Sequence, residues 1–201
     1  CQASSREVFG MPTETPQNEL TRRSPRSPYG VAKSFADASI AIYRERYGMF
    51  ASSAILFNHE SPRRGLEFVS RKVTNQAARI KLGLAADLQI GNLNARRDWG
   101  FAGDYVKAMW LMLQRREPED YVICTGQSHS VGELCNVAFE RLGLDYLDYV
   151  RGDKNSYRPD EHALLVGNPE KAKNDLGWVP ETCFTDLVHM MVDSDFLSLK
   201  R

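Results

Sequence analysis

Hydrophobic residues along this 201-residue chain fall into short continuous runs, separated by stretches with helical spacing. Phe50-Ala51-Ser52-Ser53-Ala54-Ile55-Leu56-Phe57 is such a run, and it reads as a strand buried in an α/β sheet. Residues 87–90 and the run Tyr121-Val122-Ile123-Cys124 predict two shorter strands. Between them, residues 29 to about 47, about 66–82 and about 102–114 predict helices, the first ended by Gly48. Ser130 with Glu133 predicts a capping box that opens a further helix ending near Gly143. Asn168-Pro169 begins another, because Asn caps and Pro suits the first helical position. An amphipathic helix over about 185–197 closes the chain. Residues 5–28, broken by Pro12, Pro16, Pro25 and Pro28, read as loop, as do 58–65 and 91–99.

Strands alternating with helices predict an α/β fold with a parallel sheet. The long strands are too few for a complete doubly wound domain. No internal repeat or low-complexity tract interrupts the pattern.

Charge narrows the partners. With 26 basic and 26 acidic residues and a pI of about 7.1, no net field recruits nucleic acid or an anionic membrane. The apolar runs are short, so no segment is expected to span a bilayer. Cys1, Cys124, Cys135 and Cys183 form no Cys-x-x-Cys pair and the four His are scattered, so unpaired thiols in a reducing cytoplasm are expected and a zinc site is not. The chain opens on Cys1 rather than Met and reads as part of a longer polypeptide.

Candidate chemistry begins at Ser27-Pro28-Tyr29-Gly30-Val31-Ala32-Lys33. On a helix, Tyr29 and Lys33 share one face a turn apart, and an ammonium so placed favours phenolate over phenol. The pair is then a general base for a hydroxyl proton, as alcohol oxidation requires. Upstream, Ser4-Ser5-Arg6-Glu7 follows what looks like a strand end, where ligands of open α/β sheets sit. A hydroxyl and a carboxylate two residues apart could both face a substrate there; a solvated turn explains the same four residues. In the same way Arg63-Arg64 reads equally as a solvated loop, His59 as a loop cap and Arg96-Arg97-Asp98 as a surface ion-pair cluster. His129, His162 and His189 read as structural or exposed. Trp99, Trp110 and Trp178 read as packing residues, and Tyr43 and Tyr47 as core or subunit interface.

The runs Gln2-Ala3-Ser4-Ser5-Arg6-Glu7-Val8-Phe9-Gly10 and Pro25 through Lys33 resemble the extended short-chain dehydrogenases that act on nucleotide sugars. Asn58-His59-Glu60-Ser61-Pro62-Arg63-Arg64-Gly65 and Arg97-Asp98-Trp99-Gly100 resemble, more narrowly, the GDP-mannose 4,6-dehydratases. The likeness continues through Tyr157-Arg158-Pro159-Asp160-Glu161 to Asn174-Asp175-Leu176-Gly177-Trp178 and takes in essentially the whole chain. The fold it implies is the C-terminal part of an NAD(P)-binding Rossmann fold, a doubly wound parallel sheet, plus a smaller α/β substrate-binding domain. Residues 1–57 would belong to the first. Residues 58–201 would belong mainly to the second, with a segment around 92–125 returning to the first.

The resemblance also implies roles. Tyr29, assisted by Lys33, would take the proton from the sugar O4 as hydride leaves C4 for NADP. Ser5, where the family carries threonine, would hydrogen-bond the C4 oxygen. Glu7 would abstract the C5 proton and release water from C6. Arg6 stands where dTDP-glucose dehydratases carry an acidic aspartate, and a guanidinium cannot serve as that acid. Tyr29, Lys33, Phe57, His59 and Arg64 would contact NADP. Asn58, Lys72, Arg97, Arg158 and Glu161 would contact GDP-mannose, with Arg97 and Arg158 meeting the diphosphate through forked donors and Glu161 accepting from guanine. Related enzymes pair helices, one of them the Tyr29 helix, into a four-helix bundle, so a homodimer or homotetramer is expected. No Gly-x-x-Gly-x-x-Gly turn occurs in the chain, which implies a cofactor segment upstream of Cys1. A related nucleotide-sugar dehydratase or epimerase, or an inactive fragment that only binds nucleotide sugar, are the alternatives.

Overall fold

The computed structural model describes residues 1–152 and 165–200. In chain order the elements are β1 (Gln2–Ala3), α1 (Pro28–Tyr47), β2 (Ser53–Leu56), β3 (Asn58–Glu60), α2 (Val69–Lys81), β4 (Leu88–Ile90), β5 (Arg96–Arg97), β6 (Trp99–Phe101) and α3 (Ala102–Met112). There follow β7 (Tyr121–Ile123), β8 (His129–Ser130), α4 (Val131–Glu140), α5 (Tyr146–Tyr149), β9 (Val150–Gly152), α6 (Glu170–Leu176) and α7 (Phe184–Leu199). A 3₁₀ turn, Arg6–Val8, follows β1. Contacts group the described chain into two units. The first holds Cys1–His59, Asp98–Ser128 and residues 165–181; the second holds Glu60–Arg97 and residues 129–152 and 182–200.

In the first unit β1, β2 and β7 form a parallel sheet in that order, with Ala3 opposite Ala54 and Ile55 opposite Val122. Every residue of β2 is buried, as its uninterrupted apolar run requires of a strand covered on both faces. The period of two sorts the side chains. Ala54, Leu56, Tyr121 and Ile123 pack with Tyr105, Met112 and Trp178, while Ile55, Phe57, Val122 and Cys124 pack with Val8 and Phe9. Burying each of the larger side chains contributes about 1.5–3 kcal/mol. The parallel α/β arrangement expected from the sequence is thus present.

α1 starts where its local chemistry says it should. Ser27 Oγ accepts from the Gly30 N–H, Pro28 occupies the first turn, and Gly48 ends the helix at a left-handed φ of 60°. Residues 165–181 also join the first unit, a second return that the hydrophobic pattern does not reveal. Gln17 and Gly167 form a parallel bridge, Gly167 lies against Cys124 and Phe57, and α6 packs on β7.

In the second unit α2, α4 and α7 pack on one another. Asp195 of α7 is buried and accepts from Arg71 Nε at 2.9 Å and Nη2 at 2.7 Å, from Thr74 Oγ1 at 2.7 Å and from Asn75 Nδ2 at 3.2 Å. β4 pairs parallel with β9 and β5 antiparallel with β8.

The differences from expectation lie in the segments read as loops. Asn58–Glu60, Arg96–Arg97 and Trp99–Phe101 are short strands. They are too brief to carry a strand pattern, and the first two are polar as well. α2 begins at Val69 rather than near 66, because Phe68 stays extended with its ring 3.4 Å beneath the Arg64 guanidinium. α5 and β9 are likewise too short to be read from periodicity. Among the described residues no helix is long and apolar enough to cross a membrane.

Candidate active site

The candidate residues of the first unit lie at the carboxyl ends of parallel strands. β1 ends at Ala3 and the neighbouring β2 ends at Leu56, so Ser4-Ser5 and Phe57-Asn58 leave the sheet from adjacent strands. The Ser4 N–H still bonds the Ala54 carbonyl at 2.8 Å, the last rung before the chain turns. Ser5 then caps the 3₁₀ turn, its Oγ accepting from the Glu7 N–H at 3.3 Å. The Glu7 carboxylate, about a third exposed (36%), pairs with the Arg6 guanidinium.

α1 lays its N-terminal turns against this segment. A Cβ on Gly30 would stand 2.7 Å from the Glu7 carbonyl oxygen, so helix and turn touch backbone to backbone. Tyr29 is 55% exposed. The Lys33 ammonium lies 5.6 Å from the Tyr29 ring centroid and donates to the Ala3 carbonyl at 2.8 Å. Ser5, Glu7, Tyr29 and Lys33 are therefore gathered around one strand end. The pair expected to share a helix face does so, and the Ser5-to-Glu7 segment is a capped turn beside it.

From β2, Phe57 is buried with its ring 6.5 Å from Phe9, and its carbonyl accepts from His59 Nδ1 at 2.9 Å. The His59 ring lies 5.6 Å from Tyr105. Asn58 Oδ1 is buried with no hydrogen-bond partner, an orphaned acceptor just past the carboxyl end of β2.

The remaining candidates lie in the second unit. Arg64 stacks on Phe68, and its Nε sits 3.3 Å from Glu60 Oε2, close enough for charge pairing though not aligned as a hydrogen bond. Burial pushes the Glu60 carboxyl up, while the Ser70 hydroxyl (2.6 Å) and Arg64 pull it back. Lys72 donates to the Gln89 carbonyl at 2.7 Å, and Arg97 Nη1 to the Arg96 carbonyl at 2.7 Å. Arg158 and Glu161 lie outside the described residues, as do Tyr157 and His162.

Asp98 departs from the surface ion-pair cluster that its Arg neighbours imply. It is fully buried and accepts from Thr125 N (2.9 Å), Thr125 Oγ1 (2.6 Å), Gly126 N (3.0 Å) and Gly167 N (3.4 Å). Burial raises its carboxyl from the ordinary value against the pull of those donors. It thereby shapes the turn leaving β7, where Gly126 takes a left-handed φ of 74°. Trp110 is 60% exposed rather than packed, while Trp178 is buried and donates Nε1–H to the Asp104 carbonyl at 2.9 Å. His129 stacks on Phe184 at 3.9 Å with Nδ1 3.0 Å from Glu133. A further group that residue spacing does not disclose is Asp37, whose buried carboxylate accepts from Ser4 Oγ at 2.6 Å across 33 positions of sequence.

The GDP-mannose 4,6 dehydratase family model matches residues 1–191. GDP-mannose 4,6 dehydratase 2 of Arabidopsis thaliana is 54% identical over 200 residues, covering 100% of this chain and 53% of the plant protein. The GDP-mannose 4,6 dehydratase of Dictyostelium discoideum is 47% identical over 216 residues, covering 99% of this chain and 61% of its own length. The solved structure of RMD from Pseudomonas aeruginosa complexed with NADPH has a TM-score of 0.91 at 26% identity, covering 98% of this chain and 66% of that one. The chain thus spans little more than half the length of the curated relatives it matches. A match over nearly the whole chain, with a tyrosine–lysine helix beside a Ser-x-Glu turn at the strand ends, means that this chain belongs to the GDP-mannose 4,6-dehydratase family.

Proposed function

We propose that the protein carrying this chain is an NADP-dependent hydro-lyase that converts GDP-D-mannose to GDP-4-keto-6-deoxy-D-mannose and water. The observation that carries this reading is the convergence of Tyr29 and Lys33 with Ser5 and Glu7 at the end of β1. Tyr29 takes the O4 proton, with the Lys33 ammonium 5.6 Å from its ring centroid. Ser5 offers its hydroxyl to the C4 oxygen. The resulting C4 ketone acidifies the adjacent C5–H, and Glu7 removes that proton. The same carboxyl then protonates the C6 hydroxyl, which leaves as water. One carboxylate thus serves as base and acid in turn, consistent with arginine rather than aspartate at position 6.

NADP, when bound, would supply the hydride acceptor for C4 and the donor for C6. As C6 gains the hydride, C5 regains a proton, the equivalent of the one Tyr29 took from O4, so that the net loss is one water. The residues present fit it: open α/β folds bind dinucleotides at the carboxyl ends of their strands, and there Tyr29 stands 55% exposed with the Lys33 ammonium fixed on the Ala3 carbonyl at the end of β1. Tyr29, Lys33, Phe57, His59 and Arg64 would hold it. The RMD structure, which contains NADPH, supports the same assignment. Asn58, Lys72 and Arg97 would bind the GDP-sugar, together with Arg158 and Glu161. On this reading the first unit is the cofactor-binding part and the second is chiefly the nucleotide-sugar part.

A second copy of the chain is the proposed partner. α1 carries Val31, Phe35 and Ile42 exposed at helical spacing, and α3 carries Val106 and Trp110 in the same manner. Incubating the full-length protein with GDP-mannose and NADP, followed by mass analysis of the nucleotide sugar, tests the activity. A product lighter than substrate by one water is expected. An unchanged sugar sinks the proposal.

A further inference from the structure

The helix that carries Tyr29 buries only two residues, Gly30 and Asp37. No apolar side chain of α1 is fully buried, so its seat against the sheet is not set by a greasy face. A buried carboxylate is costly unless it is paired, and for stability alone an apolar residue of similar volume does as well. Asp37 has a specific occupation instead. Its Oδ2 accepts from Ser4 Oγ at 2.6 Å and lies 3.5 Å from Arg23 Nη1, while Oδ1 is buried without a partner.

Tyr29, Lys33 and Asp37 follow one another at i, i+4 and i+8 along one helix face. Two of them grip consecutive residues where β1 ends. Lys33 holds the Ala3 carbonyl at 2.8 Å, and Asp37 holds the Ser4 hydroxyl at 2.6 Å. The next residues of the chain are Ser5, Arg6 and Glu7. We propose that Asp37 is a positioning residue for the reaction: through Ser4 it fixes the turn bearing Glu7 in register with the helix bearing Tyr29. This rests on the dehydratase reading, in which Tyr29 works at O4 and Glu7 at C5, on adjacent sugar carbons. A misplacement of about 1 Å between groups so used costs about a hundredfold in rate.

The test separates the two steps in the full-length enzyme. Ser4→Ala removes the donor with little loss of volume, and Asp37→Asn keeps an acceptor oxygen for Ser4. C4 oxidation is read from reduced nicotinamide in a single turnover, and C5 abstraction from deuterium uptake in heavy water. Ser4→Ala should slow C5 exchange about tenfold or more and oxidation by no more than about threefold, because Tyr29, the base for oxidation, stays seated on α1 and only the Ser5 hydrogen bond to the C4 oxygen lies on the loosened turn. Asp37→Asn should leave both steps near wild type. In Ser4→Ala, equal slowing of both steps, as from a smaller folded fraction, overturns the proposal, and so does an unchanged rate of both. A readout without substrate is backbone amide exchange over residues 6–10. It should quicken in Ser4→Ala and not in Asp37→Asn, and unaltered protection in Ser4→Ala overturns the clasp. If wild type leaves GDP-mannose untouched, the dehydratase reading falls while amide exchange still decides whether Asp37 holds the turn.

Discussion

Glu7 is the only carboxylate in the Ser4-to-Glu7 turn, and it meets a guanidinium rather than a second acid. On the proposed dehydratase reading, a site built this way would have one group to move protons at C5 and C6 and another, Tyr29, at O4. The two should fail differently. Glu7→Gln should leave oxidation possible and stop water loss, so reduced nicotinamide accumulates with no 4-keto-6-deoxy product. Tyr29→Phe should abolish even the first hydride transfer, and reduced cofactor formed by that variant would contradict its role. At this scale the sequence was informative where chemistry depends on short spacing. Tyr29 and Lys33 are four apart, so one helical turn brings them together whatever the rest of the fold does. Ser4 and Asp37 are 33 apart, and an Asp within a helix ordinarily reads as a solvated face. Only the packing of α1 onto the end of β1 makes them partners.

Among the elements, the turn after β7 depends on a residue from another part of the chain. Asp98 supplies both carboxylate oxygens to the N–H groups of Thr125, Gly126 and Gly167. Asp98→Asn replaces one acceptor with a donor facing those amides. A loss of about 1–3 kcal/mol per orphaned N–H is expected, read as a lower midpoint in urea unfolding. The pH dependence has a definite sign. Burial raises the folded carboxyl above its unfolded value, so the folded state binds the proton more tightly. The stability this group contributes is present below the unfolded value and is lost as pH rises through the folded one. The difference between wild type and Asp98→Asn should therefore narrow as pH rises through that window. Long elements were legible because period and caps agree, as in α1 from Ser27 to Gly48. Strands of two or three residues such as β5 and β6 were not, because their existence is owed to partners rather than to their own pattern.

For the molecule as a whole, two helices of the first unit present apolar stripes to solvent. Phe35 is 75% exposed and Trp110 60%. If a second copy covers them, the full-length protein sediments as a dimer or larger. Phe35→Asp combined with Trp110→Asp should then reduce it to the monomer, since each buried aromatic contributes about 1.5–3 kcal/mol. An unchanged sedimentation coefficient in the double variant would exclude these helices as the interface.

Local rules were sufficient for the α/β alternation, the α1 helix and its tyrosine–lysine pair, because hydrophobic period, capping and side-chain reach act within a few residues. The residue types that tie the chain to its family were equally visible. What the tertiary structure decided was which distant polar groups meet. It brought Asp37 to Ser4, Asp98 to the turn after β7, and residues 165–181 back to the first unit. Those pairings arise because desolvated donors and acceptors must find partners wherever packing puts them, and a one-dimensional pattern carries no record of that.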